Sequence, residues 1–168
     1  SCRLDELPKD VDILFVGREH TFEGDESPSF EYQTIKEKGI SFKSITTGRL
    51  QSTFTRYTIS SFFKLPVGFF QSLHILKEFK PDAVLSFGGY VSFPVVLVGA
   101  LLGTPIVIHE QALRCGLANK IASLFAKKIC VAWEKTAKDF PKEKTIVTGN
   151  PIRKFRAQSS EWARFANR

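Results

Sequence analysis

Short unbroken apolar runs recur along this chain, and most are followed by a turn and then a stretch of helical spacing. Residues 11–16 (VDILFV), 40–45, 83–87, 104–108, 128–132 and 145–148 read as strands. Between them, residues 31–38, 58–79, 91–102, 116–126 and 135–140 carry apolar side chains at helical intervals. Pro66 and Gly68 are expected to kink or split the longest of these helices. Gly39 and Gly103 stand where a helix must stop. The strands are continuous Val/Ile/Leu/Phe runs and do not alternate with polar residues. Such strands are buried on both faces, so the expected fold is α/β, a Rossmann-like parallel sheet with helices on both faces.

In such sheets ligands bind beyond the carboxyl ends of the strands. Three strand exits carry chemistry. After 83–87 comes Gly88-Gly89-Tyr90, then Val91-Ser92. Two glycines ahead of a helix allow close approach of a phosphate, and the helix N-terminus favours an anion. A tight turn that simply needs glycine fits the same residues. After 104–108 comes His109-Glu110-Gln111, with Asn119 further on. Adjacent polar groups at the mouth of a buried strand are costly unless they bond something. His109 is a candidate proton acceptor or phosphate donor, and Glu110 a candidate to orient it or bind a hydroxyl. The other histidines, His20 and His74, fall in a loop and an amphipathic helix. After 145–148 comes Gly149-Asn150-Pro151-Ile152-Arg153. Pro151 suits a first helical position, which puts Arg153 near a helix start as a candidate phosphate or nucleotide contact.

Charge is unevenly spread. Residues 114–156 hold eleven basic against three acidic groups, whereas residues 1–55 hold seven against ten. A basic half suits nucleic acid, a phosphorylated substrate or an anionic lipid surface. No aromatic-and-basic motif of a nucleic-acid binder is present, so no nucleic-acid partner is expected. Cys2, Cys115 and Cys130 lack metal-ligand spacing and read as reduced thiols. The N-terminal stretch has no apolar core of a signal peptide. The longest apolar run, residues 93–102, is far short of the ~20 residues a bilayer needs. Methionine is absent and the chain opens on Ser1, which suggests a fragment or processed product.

GGYVSFP, HEQ followed by LANK, and TGNPIR, in this order, resemble the MurG-type N-acetylglucosaminyltransferases that form lipid II, a group within glycosyltransferase family 28. KPDAVLSFGGYVSFP and GTPIVIHEQ carry the closest likeness, and the looser likeness runs from about Val11 to Phe155. The resemblance implies the N-terminal half of a two-domain GT-B enzyme. Residues 1–155 would be the acceptor-binding domain, 156–168 the start of an interdomain linker, with the C-terminal donor domain absent. It implies transfer of N-acetylglucosamine from UDP-N-acetylglucosamine to undecaprenyl-diphospho-muramoyl-pentapeptide. Transfer would proceed with inversion, without cofactor and without a protein-held metal, at the cytoplasmic face of the membrane.

Carried over, Gly88, Gly89, Tyr90 and Ser92 fall on the acceptor-diphosphate loop. His109, Glu110 and Asn119 fall on positions the family needs for activity, with His109 and Glu110 as the catalytic candidates. Gln111, Asn119, Asn150 and Arg153 fall on the substrate and donor side. The resemblance has departures. Ala112 stands where the family has Asn, removing an amide at a donor-binding position. The family's opening strand and its glycine-histidine loop are not found. That strand lies centrally, between the strands at 11–16 and 83–87, so the chain alone is expected to be unstable or to aggregate.

Phe62, Phe63, Lys64, Phe69 and Phe70 resemble an interfacial element suited to anionic inner-leaflet lipid. Packing of these aromatics on the sheet is the competing expectation. Other cell-wall synthesis proteins are possible partners. Two further readings stand beside the first. One is a related diacylglycerol glycosyltransferase, for which HEQ followed by LANK is not expected. The other is a non-catalytic acceptor-binding subunit of a split polyprenyl-diphosphate glycosyltransferase.

Overall fold

The computed structural model describes residues 11–20, 27–46 and 56–151, with the backbone alone over 56–65. Six strands alternate with five α-helices: β1 (Leu14–Gly17), α1 (Phe30–Glu37), β2 (Ser41–Ser44), α2 (Arg56–Phe79), β3 (Val84–Ser86), α3 (Ser92–Leu101), β4 (Ile106–Glu110), α4 (Leu117–Ser123), β5 (Lys128–Val131), α5 (Glu134–Ala137) and β6 (Thr145–Val147). A 3₁₀ turn at Lys142–Lys144 leads into β6.

All the described strand pairs are parallel, as expected, but their ladders form two sheets. One is β1–β2; the other is β3–β4–β5–β6. β1 and β3 share no ladder among the described residues, so each has an edge without a backbone partner there. The two sheets nonetheless contribute to one core. Ile45 just beyond β2 belongs to the same buried cluster as Ile75 and Leu76 of α2, Val96 and Val98 of α3, Ile106 and Ile108 of β4, and Ile129 and Val131 of β5. Each fully buried aliphatic of this set contributes roughly 1.5–3 kcal/mol of transfer free energy. α2 packs on α3 and α3 on α4, with Gly99 of α3 close enough to the sheet to touch Val84 and Ile106.

Local chemistry explains the boundaries. Ser29 caps α1 by accepting from the Tyr32 amide at 3.2 Å. Gly39 and Gly103 end α1 and α3 in the left-handed region, at φ 69° and 74°. α2 corrects one expectation. It is one helix of 24 residues with Pro66 inside it, neither split nor ended there. Packing of α2 against α3 outweighs the loss of one backbone hydrogen bond. A second correction matters more for function: β4 continues two residues beyond the expected stop, so His109 and Glu110 lie within the strand. Both pair with β5, His109 with Cys130 and Glu110 with Val131.

Candidate active site

Consecutive strand residues point to opposite faces, so His109 and Glu110 serve different neighbours. His109 lies on the face of Phe87, the rings 6.0 Å apart. Its Nε2 meets the Gly149 carbonyl at 3.1 Å. A carbonyl can only accept, so Nε2 is the donor in this contact, and in a neutral ring Nδ1 is left without a proton. Nδ1 is then the bare nitrogen, buried with no hydrogen-bond partner among the described residues. His109 thus ties the end of β4 to the exit of β6, where Gly149 takes φ 76°.

Glu110 faces α4. Its Oε1 accepts from the Ala112 amide at 2.9 Å and its Oε2 from Asn119 Nδ2 at 2.7 Å. Gln111 is exposed, and its carbonyl accepts from Trp133 Nε1 at 3.1 Å. The Ala112 carbonyl accepts from Thr136 Oγ1 at 3.0 Å. The turn after β4 is therefore held through three backbone groups from three directions. Cys115 stands beside it, its thiol pushed up to about 12 by burial first and then by the charge and hydrogen bond of Glu110.

The β3 exit forms the third wall. Gly88 and Gly89 both take φ 83°, a conformation side chains resist. The Gly88 amide donates to Ser86 Oγ at 3.2 Å, and Ser92 Oγ donates to the Gly89 carbonyl at 3.0 Å. α3 begins without a side-chain cap. A side chain at Gly89 would meet nothing within 4 Å, so the turn is open on that side. The Tyr90 hydroxyl accepts from Arg18 Nη1 at 2.5 Å.

A scan of protein families matches residues 25–131 to the glycosyltransferase family 28 N-terminal domain. The chain belongs to glycosyltransferase family 28. Curated relatives agree with the assignment. A UDP-N-acetylglucosamine–N-acetylmuramyl-(pentapeptide) pyrophosphoryl-undecaprenol N-acetylglucosamine transferase of Thermoanaerobacter sp. (strain X514) is 40% identical over 147 residues, 87% of this chain and 38% of that protein. A Bacillus cereus protein of the same description, numbered 2, is 42% identical over 142 residues, 84% of this chain and 38% of that protein. Among solved structures, Acinetobacter baumannii MurG superposes with a TM-score of 0.57 at 31% identity, covering 75% of this chain and 35% of that one. A UDP-N-acetylglucosamine 2-epimerase from Rickettsia bellii, 15% identical with a TM-score of 0.51 over 94% of this chain and 48% of that one, shares the fold. The chain thus spans well under half the length of the curated relatives it matches.

In this family 28 domain the three strand exits lie at one end of the sheet: the His109–Gly149 bond links those of β4 and β6, and Asn119, bonded to Glu110, lies against Gly88 of the β3 exit. Asn150 is exposed in the β6 exit, while Arg153 lies outside the described residues. Of the membrane candidates, Phe62, Phe63 and Lys64 have no described side chains. Phe69 packs against the core and Phe70 is 67% exposed, the two rings meeting edge to face. No described helix is long and apolar enough to cross a membrane, and no described group of His, Cys, Asp and Glu is arranged to hold a metal. Sequence reasoning missed Arg18, Trp133 and Thr136. Arg18 had a usable signal, a cation directly after a strand-ending glycine. Trp133 and Thr136 had none, because their partners are backbone carbonyls over twenty residues away.

Proposed function

We propose that this chain is the acceptor-binding half of an N-acetylglucosaminyltransferase acting on undecaprenyl-diphospho-muramoyl-pentapeptide, with UDP-N-acetylglucosamine as donor. The observation that carries it is the β3 exit: two glycines at φ 83° open directly onto the uncapped start of α3. First-turn amides and the helix dipole favour an anion there. Arg18, bonded to Tyr90, places a cation beside the same turn. The names of relatives at 40–42% identity support the substrate assignment.

On this reading Gly88, Gly89, Tyr90 and Ser92 receive the acceptor diphosphate. Gln111, Asn119, Asn150 and Arg153 belong to the substrate and donor side. The acceptor hydroxyl displaces UDP directly, forming the new glycosidic bond as the sugar–phosphate bond breaks, with inversion at the sugar carbon. His109 and Glu110 hold the strand exits together where these groups meet. The domain sits at the cytoplasmic membrane face through α2, where Val67 and Phe70 are exposed and Lys77 and Lys80 lie nearby.

The test is equilibrium binding of a short-chain polyprenyl diphosphate carried in anionic vesicles. Saturable binding that inorganic pyrophosphate competes away, and that Arg18→Ala weakens, is expected. Binding that free pyrophosphate does not displace would overturn the diphosphate assignment.

A further inference from the structure

We infer that Glu110 and Asn119 are positioning residues that hold the Gly88–Gly89 turn in its receiving shape. The inference rests on the reading of that turn as a diphosphate site and adds how its shape is set. Glu110 is 6% exposed and Asn119 5%. A carboxylate this buried is tolerated only when strong hydrogen bonds satisfy it. Here each oxygen has one: the Ala112 amide on Oε1 and Asn119 Nδ2 on Oε2. Both bonds are local to the turn and to α4, so the carboxylate is a fixed post between the two.

The consequence falls on Asn119. Its amide must turn Nδ2 toward Glu110, because a carboxylate only accepts. That fixes the plane of the amide, and the plane lies against Gly88. A Cβ at Gly88 would come within 2.8 Å of Asn119 Oδ1 and 2.9 Å of its Cγ, and closer still to Nδ2. Gly88 is also held on the other side by Ser86 Oγ, which accepts its amide proton and is itself buried. The turn is therefore glycine for two separate reasons, its φ and the amide pressed against it. Ala112, Glu110, Asn119 and Gly88 form one continuous series from the β4 exit through α4 to the β3 exit. Gly89, with open space around its Cα, is the position left for a ligand.

A proton-transferring Glu110 and a positioning Glu110 differ in what an exchange of partners does. Glu110→Gln alone cannot accept from both the Ala112 amide and Asn119 Nδ2: with its oxygen on Ala112 its own amide donor faces Asn119, and that bond survives only if the Asn119 amide turns over and exchanges Nδ2 for Oδ1 beside Gly88. Glu110→Gln combined with Asn119→Asp restores the bond with donor and acceptor exchanged, and still offers an oxygen to the Ala112 amide. The measurement uses the full chain as its gene encodes it, ¹⁵N-labelled, with inorganic pyrophosphate as probe. Asn119→Ala and Glu110→Gln are each expected to displace the Gly88 amide resonance before any ligand is added. Each is expected to weaken pyrophosphate binding roughly tenfold. The exchanged pair, which moves the negative charge to residue 119 without changing its total, is expected to return the Gly88 resonance toward its original position. Asn119→Ser replaces the alanine variant if that fails to fold. An unmoved Gly88 resonance in Asn119→Ala, or an exchanged pair displaced as far as Asn119→Ala, overturns the inference. A parent chain that binds no pyrophosphate overturns the diphosphate reading instead, and the resonance comparison still decides whether Glu110 and Asn119 set the turn.

Discussion

Arg18 and Tyr90 are 72 residues apart in sequence and share a hydrogen bond of 2.5 Å between guanidinium and phenol hydroxyl. The guanidinium carbon also lies 5.9 Å from the centre of the tyrosine ring. The pair lashes the exit of β1 to the exit of β3, across the line where the two sheets share no ladder. Tyr90→Phe keeps the ring and loses the hydroxyl. It is expected to cost about 1 kcal/mol of stability, and Arg18→Ala somewhat more, because the ring contact goes too. Urea unfolding of the two variants and their double mutant checks this. Additive losses would show that the pair does not interact.

His109 is expected to hold one tautomer. In the ring ¹⁵N spectrum of its neutral form, Nε2 should be protonated and Nδ1 bare, because Gly149 offers only an acceptor. His109→Phe fills similar space and removes the bond. It leaves the Gly149 carbonyl with only the longer bond from Thr148 Oγ1, at 3.4 Å, at an expected cost of about 1 kcal/mol. A neutral ring protonated on Nδ1 in place of Nε2 would mean the Gly149 contact does not form in solution.

Cys115 supplies a pH dependence with a definite sign. Its thiol is raised from 9.0 to about 12 in the fold. The unfolded chain therefore loses this proton first as pH rises, and stability falls from about pH 9 upward until the folded thiol also ionises near 12. Below pH 9 the contribution is fully present. Thiolate absorbance should show Cys115 un-ionised at pH 10, and Cys115→Ala should flatten the stability curve above pH 9. Glu110→Gln should lower the midpoint, since the Glu110 charge is the second cause of the shift. A midpoint near 9 would place the thiol in open solvent.

The backbone of Ala112 is held at both ends, its amide by Glu110 and its carbonyl by Thr136, while its side chain is exposed. Ala112→Asn is therefore expected to change stability by less than about 0.5 kcal/mol. Thr136 is fully buried. Thr136→Val keeps its shape and strands the Ala112 carbonyl, at an expected cost of about 1–3 kcal/mol. Thermal unfolding of both variants checks the contrast, and equal effects would refute the anchoring.

The alternation of strands and helices was readable from residues 11 to 148 because most strands are short apolar runs and each helix repeats at its own period, although β2, Ser41–Ser44, is mostly polar. Gly39 and Gly103 marked ends for reasons local to the backbone, whereas the Ser29 cap emerged only in the structure. The same local logic located the Gly88–Gly89 turn and flagged His109 and Glu110 as polar groups in a costly place. It misjudged the end of β4, because apolarity stops at Ile108 whereas pairing with β5 carries the strand on to Glu110. It also allowed Pro66 to split α2, which instead runs through it as one helix packed on α3.

Sequence alone therefore determined the element order, the parallel class of the sheet and which strand exits bear chemistry, since hydrophobic period and turn chemistry act over a few residues. Only the tertiary structure decided who touches whom. It set Arg18 on Tyr90, split the adjacent His109 and Glu110 between Gly149 and Asn119, and pressed Asn119 against Gly88. Those pairings depend on sheet register and helix packing between segments far apart in the chain, which no local pattern of residues records.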